Sequence, residues 1–219
     1  MTPVGALPPL PMLSPSREGR TGNGFSARYG RYSFEDADGA VNNFGIGGDF
    51  PMGAGGRLGL TFGLMLPPCA DDSDCGNVIM VGGDATVPLL RSTLGAERGS
   101  SAVSIGLNPA VGFGKPTGGG SDGYVLSGAL SLPVALSFGA ATGPQFVPFL
   151  SPGIGLGRVS AGGECESECS ETGMRFMFGG GVAVENLTPG MTLGFGFRKI
   201  FLEDAPTQFG ITLGWRALR

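Results

Sequence analysis

The sequence predicts an all-β chain, an antiparallel up-and-down transmembrane β-barrel of about ten strands. Three observations carry that expectation. Between Met191 and Trp215 the large apolar residues occupy every second position: Leu193, Phe195 and Phe197, then, after the break Glu203-Asp-Ala-Pro206, Phe209, Ile211, Leu213 and Trp215. A period of two is that of a β-strand, whose alternate side chains share one face. The intervening positions are mostly small and weakly polar, among them Thr192, Gly194, Gly196, Gly210, Thr212 and Gly214. A soluble half-buried sheet would carry Lys, Glu and Asp there, whereas small residues suit a wall with lipid outside and a confined lumen inside. Finally, 41% of residues are hydrophobic and only 15% charged, against roughly 25% charged in a typical soluble domain. No stretch reaches the ~18 apolar residues of a membrane helix, so the hydrophobicity is spread by alternation.

Composition narrows the function classes. At 219 residues the chain suits one all-β domain, and its 43 glycines follow no G-X-Y period. The net charge is −4, with no cluster of Lys or Arg, which argues against a nucleic-acid partner. There is no histidine, so Ser-His, Asp-His and Cys-His catalytic pairs are excluded. No enzyme activity, catalytic residue, cofactor or metal is expected. Met1-Thr-Pro-Val-Gly5 lacks the charged and apolar regions of a signal peptide, so for an exported chain the numbering is expected to begin at a mature start.

Taken in order, residues 1–22 form a proline-rich N-terminal tail, with Leu7-Pro-Pro-Leu-Pro unable to sit inside a sheet. Residues 23–219 form the barrel. Strand one spans 24–34, and strand two 41–50, with Phe44, Ile46 and Phe50 on one face. Strand three spans 57–66, with Leu58, Leu60, Phe62, Leu64 and Leu66 outward. Strand four spans 78–90, with Ile79, Val81, Val87 and Leu89 outward. Strand five spans 102–114, with Val103, Ile105, Leu107, Val111 and Phe113 outward. Strand six spans 124–138, with Leu126, Leu130, Leu132, Val134, Leu136 and Phe138 outward. Strand seven spans 146–159, with Phe146, Leu150, Ile154 and Leu156 outward. Strand eight spans 174–184, with Phe176, Phe178, Val182 and Val184 outward. The hairpin 191–215 supplies the last two. About ten residues is the length that a tilted strand needs to cross a bilayer. Eight strands is the alternative count, and the join at 91–101 is long for a periplasmic turn.

The connections alternate between two ends. One set, 35–40, 67–77, 115–123, 161–173 and 203–207, holds thirteen of the 18 acidic residues. An even count places both termini at the other end, expected to be periplasmic. Asp71, Asp72, Asp74, Glu164, Glu166 and Glu168 therefore form acidic outer loops, suited to contact a divalent cation or a partner. The same two loops carry Cys69 and Cys75, and Cys165 and Cys169. In an oxidising compartment these are read as disulfides. Pairing within each loop and pairing between loops remain open, with a four-thiolate metal site as the rival. The strand phase turns Asp49 and Asp84 into the lumen, where Arg28, Arg57, Arg175 and Arg198 are candidate ion-pair partners. Gly112, Gly114, Gly179, Gly181, Gly194, Gly196, Gly210 and Gly214 face the lumen too. They either let the wall twist and close or leave free volume.

In the pattern of residues 193–215 and its repeats, the chain resembles the small outer-membrane β-barrels of Gram-negative bacteria, the OmpA-like and opacity-type group. The likeness covers residues 24–219 and is one of strand pattern. That group often ends on a terminal aromatic, whereas here Trp215 is followed by Arg216-Ala-Leu-Arg219. The resemblance implies residence in the bacterial outer membrane among its lipids and a non-enzymatic role, structural or as a narrow passive pore. Two other readings stay open. One is an assembly or binding module that engages an envelope or surface protein through the acidic loops or the tail. The other is a soluble barrel binding an apolar ligand.

Overall fold

The structure is a computed structural model describing residues 23–33, 40–66, 76–94, 101–117, 123–139, 143–160, 170–201 and 207–216. Its strands are β1 (Gly24–Ser33), β2 (Ala40–Pro51), β3 (Arg57–Leu66), β4 (Asn77–Thr93), β5 (Ser101–Thr117), β6 (Tyr124–Ser131), β7 (Val134–Gly139), β8 (Gln145–Ser160), β9 (Ser170–Glu185), β10 (Met191–Ile200) and β11 (Thr207–Arg216). One short 3-10 turn, Gly53–Gly55, lies between β2 and β3. Every pairing is antiparallel, and each strand bonds its neighbours in the chain, save that β6 and β7 do not pair with each other and both lie between β5 and β8. β11 returns to pair with β1 from Gly24↔Arg216 to Ser33↔Thr207, which closes the barrel.

β6 and β7 are two halves of one span, so ten spans cross the wall. The expected single strand over 124–138 is interrupted at Leu132-Pro133. Pro133 has no N–H, and neither has Pro152 opposite Leu132, so the ladder loses two donors at adjacent levels. The register survives the gap: Ser131 pairs with Gly153 and Val134 with Leu150. Leu132 N–H still donates to the Pro152 carbonyl at 2.9 Å, and Gly106 N–H to the Pro133 carbonyl at 3.0 Å. The long join near 91–101 is partly strand. β4 runs to Thr93, β5 starts at Ser101, and Leu94 N–H donates to the Ser101 carbonyl at 2.9 Å.

The stagger of the strands fixes the barrel's shape. Residue partners can be followed once around from Gln145 of β8, through Glu185, Thr192, Gly214, Ser26, Gly47, Thr61, Gly82, Gly112 and Ser127. The path returns to β8 at Gly157, twelve residues further on. With ~3.3 Å per residue and ~4.8 Å between strands, that stagger over ten spans needs a tilt of about 40° and a wall radius of about 10 Å. A ten-residue strand then rises about 25 Å, the height of the apolar band of an outer-membrane barrel.

The outward face is that band. Ile46, Leu60, Phe62, Val81, Val111, Leu126, Leu130, Leu150, Leu156, Phe195 and Ile211 are all exposed, at mid-height on many strands. Aromatic residues gather at the end where the termini lie: Phe25, Phe50, Phe138, Phe146 and Trp215 are exposed there. At the opposite end stand Phe176, Phe201 and Phe209. Such aromatic rims mark the two interfaces of a membrane-spanning barrel. The inward face is less uniformly small than the alternation suggests. Tyr32, Met80, Phe149 and Met177 point inward, and Ala135, Val147, Phe149 and Ala183 form a buried apolar cluster.

Candidate functional site: the lumen

The interior is built in levels, each from inward positions of neighbouring strands. At the terminal end Asp49 of β2 forms an ion pair with Arg57 of β3, whose Nη2 also donates to the Asp49 carbonyl oxygen at 3.2 Å. Arg216 of β11 comes within 3.9 Å of the same carboxylate. These three are brought together because the closing pair sets β11 beside β1, and β1 beside β2. Across the lumen Gln145 and Glu185 pair in register and are both buried.

Asp84 of β4 is held by Asn108 of β5. The Asn108 amide donates to Asp84 Oδ2 at 3.2 Å, to the Ala85 carbonyl at 2.9 Å and to Thr86 Oγ1 at 3.1 Å. Arg28 occupies the middle level. Its Nε donates to Ser26 Oγ at 3.2 Å and its Nη1 reaches Thr61 Oγ1, two strands away, at 3.3 Å. Toward the far end Tyr32, Gln208 and Arg198 lie side by side on β1, β11 and β10, all inward and at most 4% exposed. Arg175 is nearer the far rim, its Nη1 donating to the Met174 carbonyl at 2.9 Å.

Of the polar residues that the sequence marks, Asp49 and Arg57 come together, Arg28 lies at mid-height on Ser26 and Thr61, Asp84 is held by Asn108, and Arg175 and Arg198 lie toward the far end. Sequence reasoning passed over Arg216, Asn108, Tyr32, Gln208 and Glu185 as parts of the lumen. All carry the inward phase of their strands, so the signal for facing was present, while their partners depend on pairing across strands. Cys69, Cys75, Cys165, Cys169, the acidic residues 71, 72, 74, 164, 166 and 168, and the tail 1–22 lie outside the described residues. Among the described residues no cluster of His, Cys, Asp or Glu is arranged to hold a metal ion.

Cavities lie between these side chains. One cavity of about 50 Å³ is lined by Arg28, Asn43, Thr61, Met80 and Gln208 among others. A second of about 90 Å³ is lined by Arg28, Asp49, Arg57, Asp84, Glu185 and Arg216 among others. Arg28 borders both.

No protein family's sequence profile matches the chain. No curated protein matches it either. Among solved structures, the translocator domain of the autotransporter NalP from Neisseria meningitidis is similar, with 12% identity, a TM-score of 0.45, and 90% of this chain and 89% of that one covered. The N-terminal β-barrel domain of Pseudomonas aeruginosa OprF has 12% identity and a TM-score of 0.42, with 90% and 98% covered. Ail, the attachment invasion locus protein of Yersinia pestis, has 13% identity and a TM-score of 0.37, with 90% and 97% covered. Scores this low carry no weight of their own. The closed ladder, the ~25 Å apolar band and its aromatic rims decide the matter: the chain is a small transmembrane barrel of the bacterial outer membrane. The soluble-barrel reading falls with them, because large apolar side chains cover the outside of the wall.

Proposed function

We propose that this is a non-enzymatic structural barrel, termini toward the periplasm, whose lumen passes at most water and small ions. The observation that carries the reading is Arg28. Its guanidinium is held by Ser26 and Thr61 and lines two small cavities. A solute would have to displace a charge held by hydrogen bonds to two hydroxyls, in a space where each lost partner costs about 1–3 kcal/mol.

Single-channel recording in planar bilayers tests this. The full chain should be silent or show only small current steps. Arg28→Ala should join the two cavities and raise the conductance clearly. Deleting residues 1–22 should leave it unchanged, because on this reading Arg28 and not the tail limits passage. A large steady conductance of the full chain would replace this reading with an open pore, and a rise on deleting the tail would make the tail a plug.

A further inference from the structure

The wall is taller on one side of its terminal end. β3 and β4 stay paired as far as Arg57↔Thr86, and the turn Gly53–Gly55 closes that ladder, a Cβ at Gly55 coming within 3.8 Å of the Pro88 ring. β4 then shifts register between Pro88 and Leu90 and runs on beside β5 to Thr93↔Ala102. Behind it β5 pairs with β7 from Ser101↔Phe138, and β7 with β8. Among the described residues, β4 beyond Pro88 has no partner on its other side. Leu94 N–H donates to the Ser101 carbonyl at 2.9 Å. In an antiparallel ladder the N–H and C=O of one residue point the same way, and successive residues alternate. Arg91 and Thr93 therefore turn both groups toward the open edge, among exposed Leu89, Leu90 and Leu94.

An exposed apolar edge is a template for another strand, and the chain carries a segment suited to one edge only. In residues 9–15, Pro9, Pro11 and Pro15 fall on one alternate set of positions, while Leu10, Met12 and Ser14 between them keep their N–H. Proline is barred from the inside of a sheet but not from an edge strand whose N–H side faces solvent. Extended, such a segment has a full row of donors along one side and is blunt along the other. Its place in the chain fits as well. Gly24, Asp49, Gly59 and Asp84 are partners in register across β1 to β4. With ~4.8 Å between strands and ~3.3 Å per residue, the open side of Pro88 lies roughly 16 Å from Gly24, and the chain from Pro15 to Gly24 reaches up to ~30 Å. A segment antiparallel to β4 runs from the tip of the extension toward the rim, which is the direction that leads into β1.

We infer that the open edge of β4 is the docking site of the chain's own N-terminal tail, residues 9–15 adding to it as an antiparallel edge strand. Residues from the set Leu10, Met12 and Ser14 exchange backbone hydrogen bonds with Arg91 and Thr93, and the prolines turn their ring nitrogens to solvent. Opposed residues of an antiparallel pair share a face, so Leu13 and the proline rings lie on the face of Leu90 and Leu94 and cover it. The tail then ends the sheet: its blunt side offers no further strand a ladder, and β4 is closed to neighbouring chains. The inference does not rest on the conduction state of the lumen, because the extension stands beyond the rim.

The test is amide hydrogen exchange of the folded full chain in detergent micelles, read at single residues by NMR. Arg91 and Thr93 should exchange at least ten-fold more slowly in the full chain than in a chain lacking residues 1–15. Ser92, bonded to β5, should change little. The parity of the prolines supplies the sharper variants. Met12→Pro removes a donor that faces β4 and should speed exchange at Arg91 and Thr93 nearly as much as the deletion does. Leu13→Pro adds a ring on the solvent side and should leave their exchange as in the full chain. Folding of each variant is checked by its mobility on unheated gels, and should the deletion fail to fold, the two proline variants decide. Equal exchange at Arg91 and Thr93 with and without the tail overturns the inference, as does equal acceleration by Met12→Pro and Leu13→Pro. Isotope-labelled tail-deleted chains are also mixed with unlabelled full chains and should stay fast at both residues. Slow exchange regained on mixing would give the edge to the tail of a second copy and overturn the inference too.

Discussion

At the scale of single residues, the inward glycines are sockets. Phe149 lies opposite Gly181, Met80 opposite Gly63 and Met177 opposite Gly153, each pair in direct register across two strands. A Cβ at Gly153 would come within 2.9 Å of the Met177 methyl, and one at Gly63 within 3.3 Å of the Met80 methyl. At Gly181 a Cβ would run into the Phe195 carbonyl oxygen and approach the Phe149 ring to 3.0 Å. At each of the three the neighbouring strand's carbonyl oxygen is nearer still than the large side chain, and rigid backbone cannot give way, so Gly181→Ala should destabilise the barrel by about 1–3 kcal/mol through overpacking. Gly157→Ala, with nothing within 4 Å of its Cβ, should be close to neutral in the same urea titration in lipid vesicles. Outward positions obey the other rule. Leu60, 53% exposed on the band, should tolerate Ala, while Leu60→Arg should cost roughly 2–4 kcal/mol near the bilayer midplane. Equal stability of the Arg and Ala variants would contradict the lipid-facing assignment. Facing was legible in the sequence because it follows from a period of two. The sockets were not, since nothing local tells that Gly181 sits opposite Phe149 and not opposite another small residue.

At the scale of elements, the alternation located every span, and misjudged one. Leu126 to Phe138 keep a single outward phase through Leu132, which is why a continuous strand was expected. The phase does persist, but Pro133 and Pro152 fall at adjacent levels, Pro152 opposite Leu132, and the ladder opens between β6 and β7. A pattern of hydrophobicity carries no information about missing N–H groups, and the coincidence of two prolines on separate strands requires the register. The ends of the elements bring a second expectation. If the loop cysteines are oxidised, mass spectrometry without reductant should find no free thiol at Cys69, Cys75, Cys165 and Cys169. Their replacement by Ser should leave the urea midpoint of the barrel nearly unchanged, because the closed ladder does not depend on them. Four alkylatable thiols accompanied by stoichiometric zinc would favour the metal site instead.

At the scale of the whole molecule, the strand count and the lumenal phase were readable, while the occupancy of the lumen was not. Small residues such as Gly194, Gly210 and Ser127 suggested spare volume, yet Tyr32, Phe149, Arg28 and Arg198 also point into it. The large inward side chains decide between a channel and a packed interior, and their reach depends on the twelve-residue stagger.

The seam between β1 and β11 sets the order of assembly. Gly24 and Arg216 are partners at opposite ends of the chain, and closing a loop of about 190 residues costs on the order of 5 kcal/mol of chain entropy. The first strand synthesised must therefore wait for the last, and until then both present unpaired N–H and C=O groups. Such edges are templates for pairing with another chain. Two unfinished copies can satisfy one another, β1 of each taking β11 of the other, as in domain swapping. That outcome competes with closure in proportion to the local density of unfinished chains, so crowding during insertion decides how many barrels close on themselves.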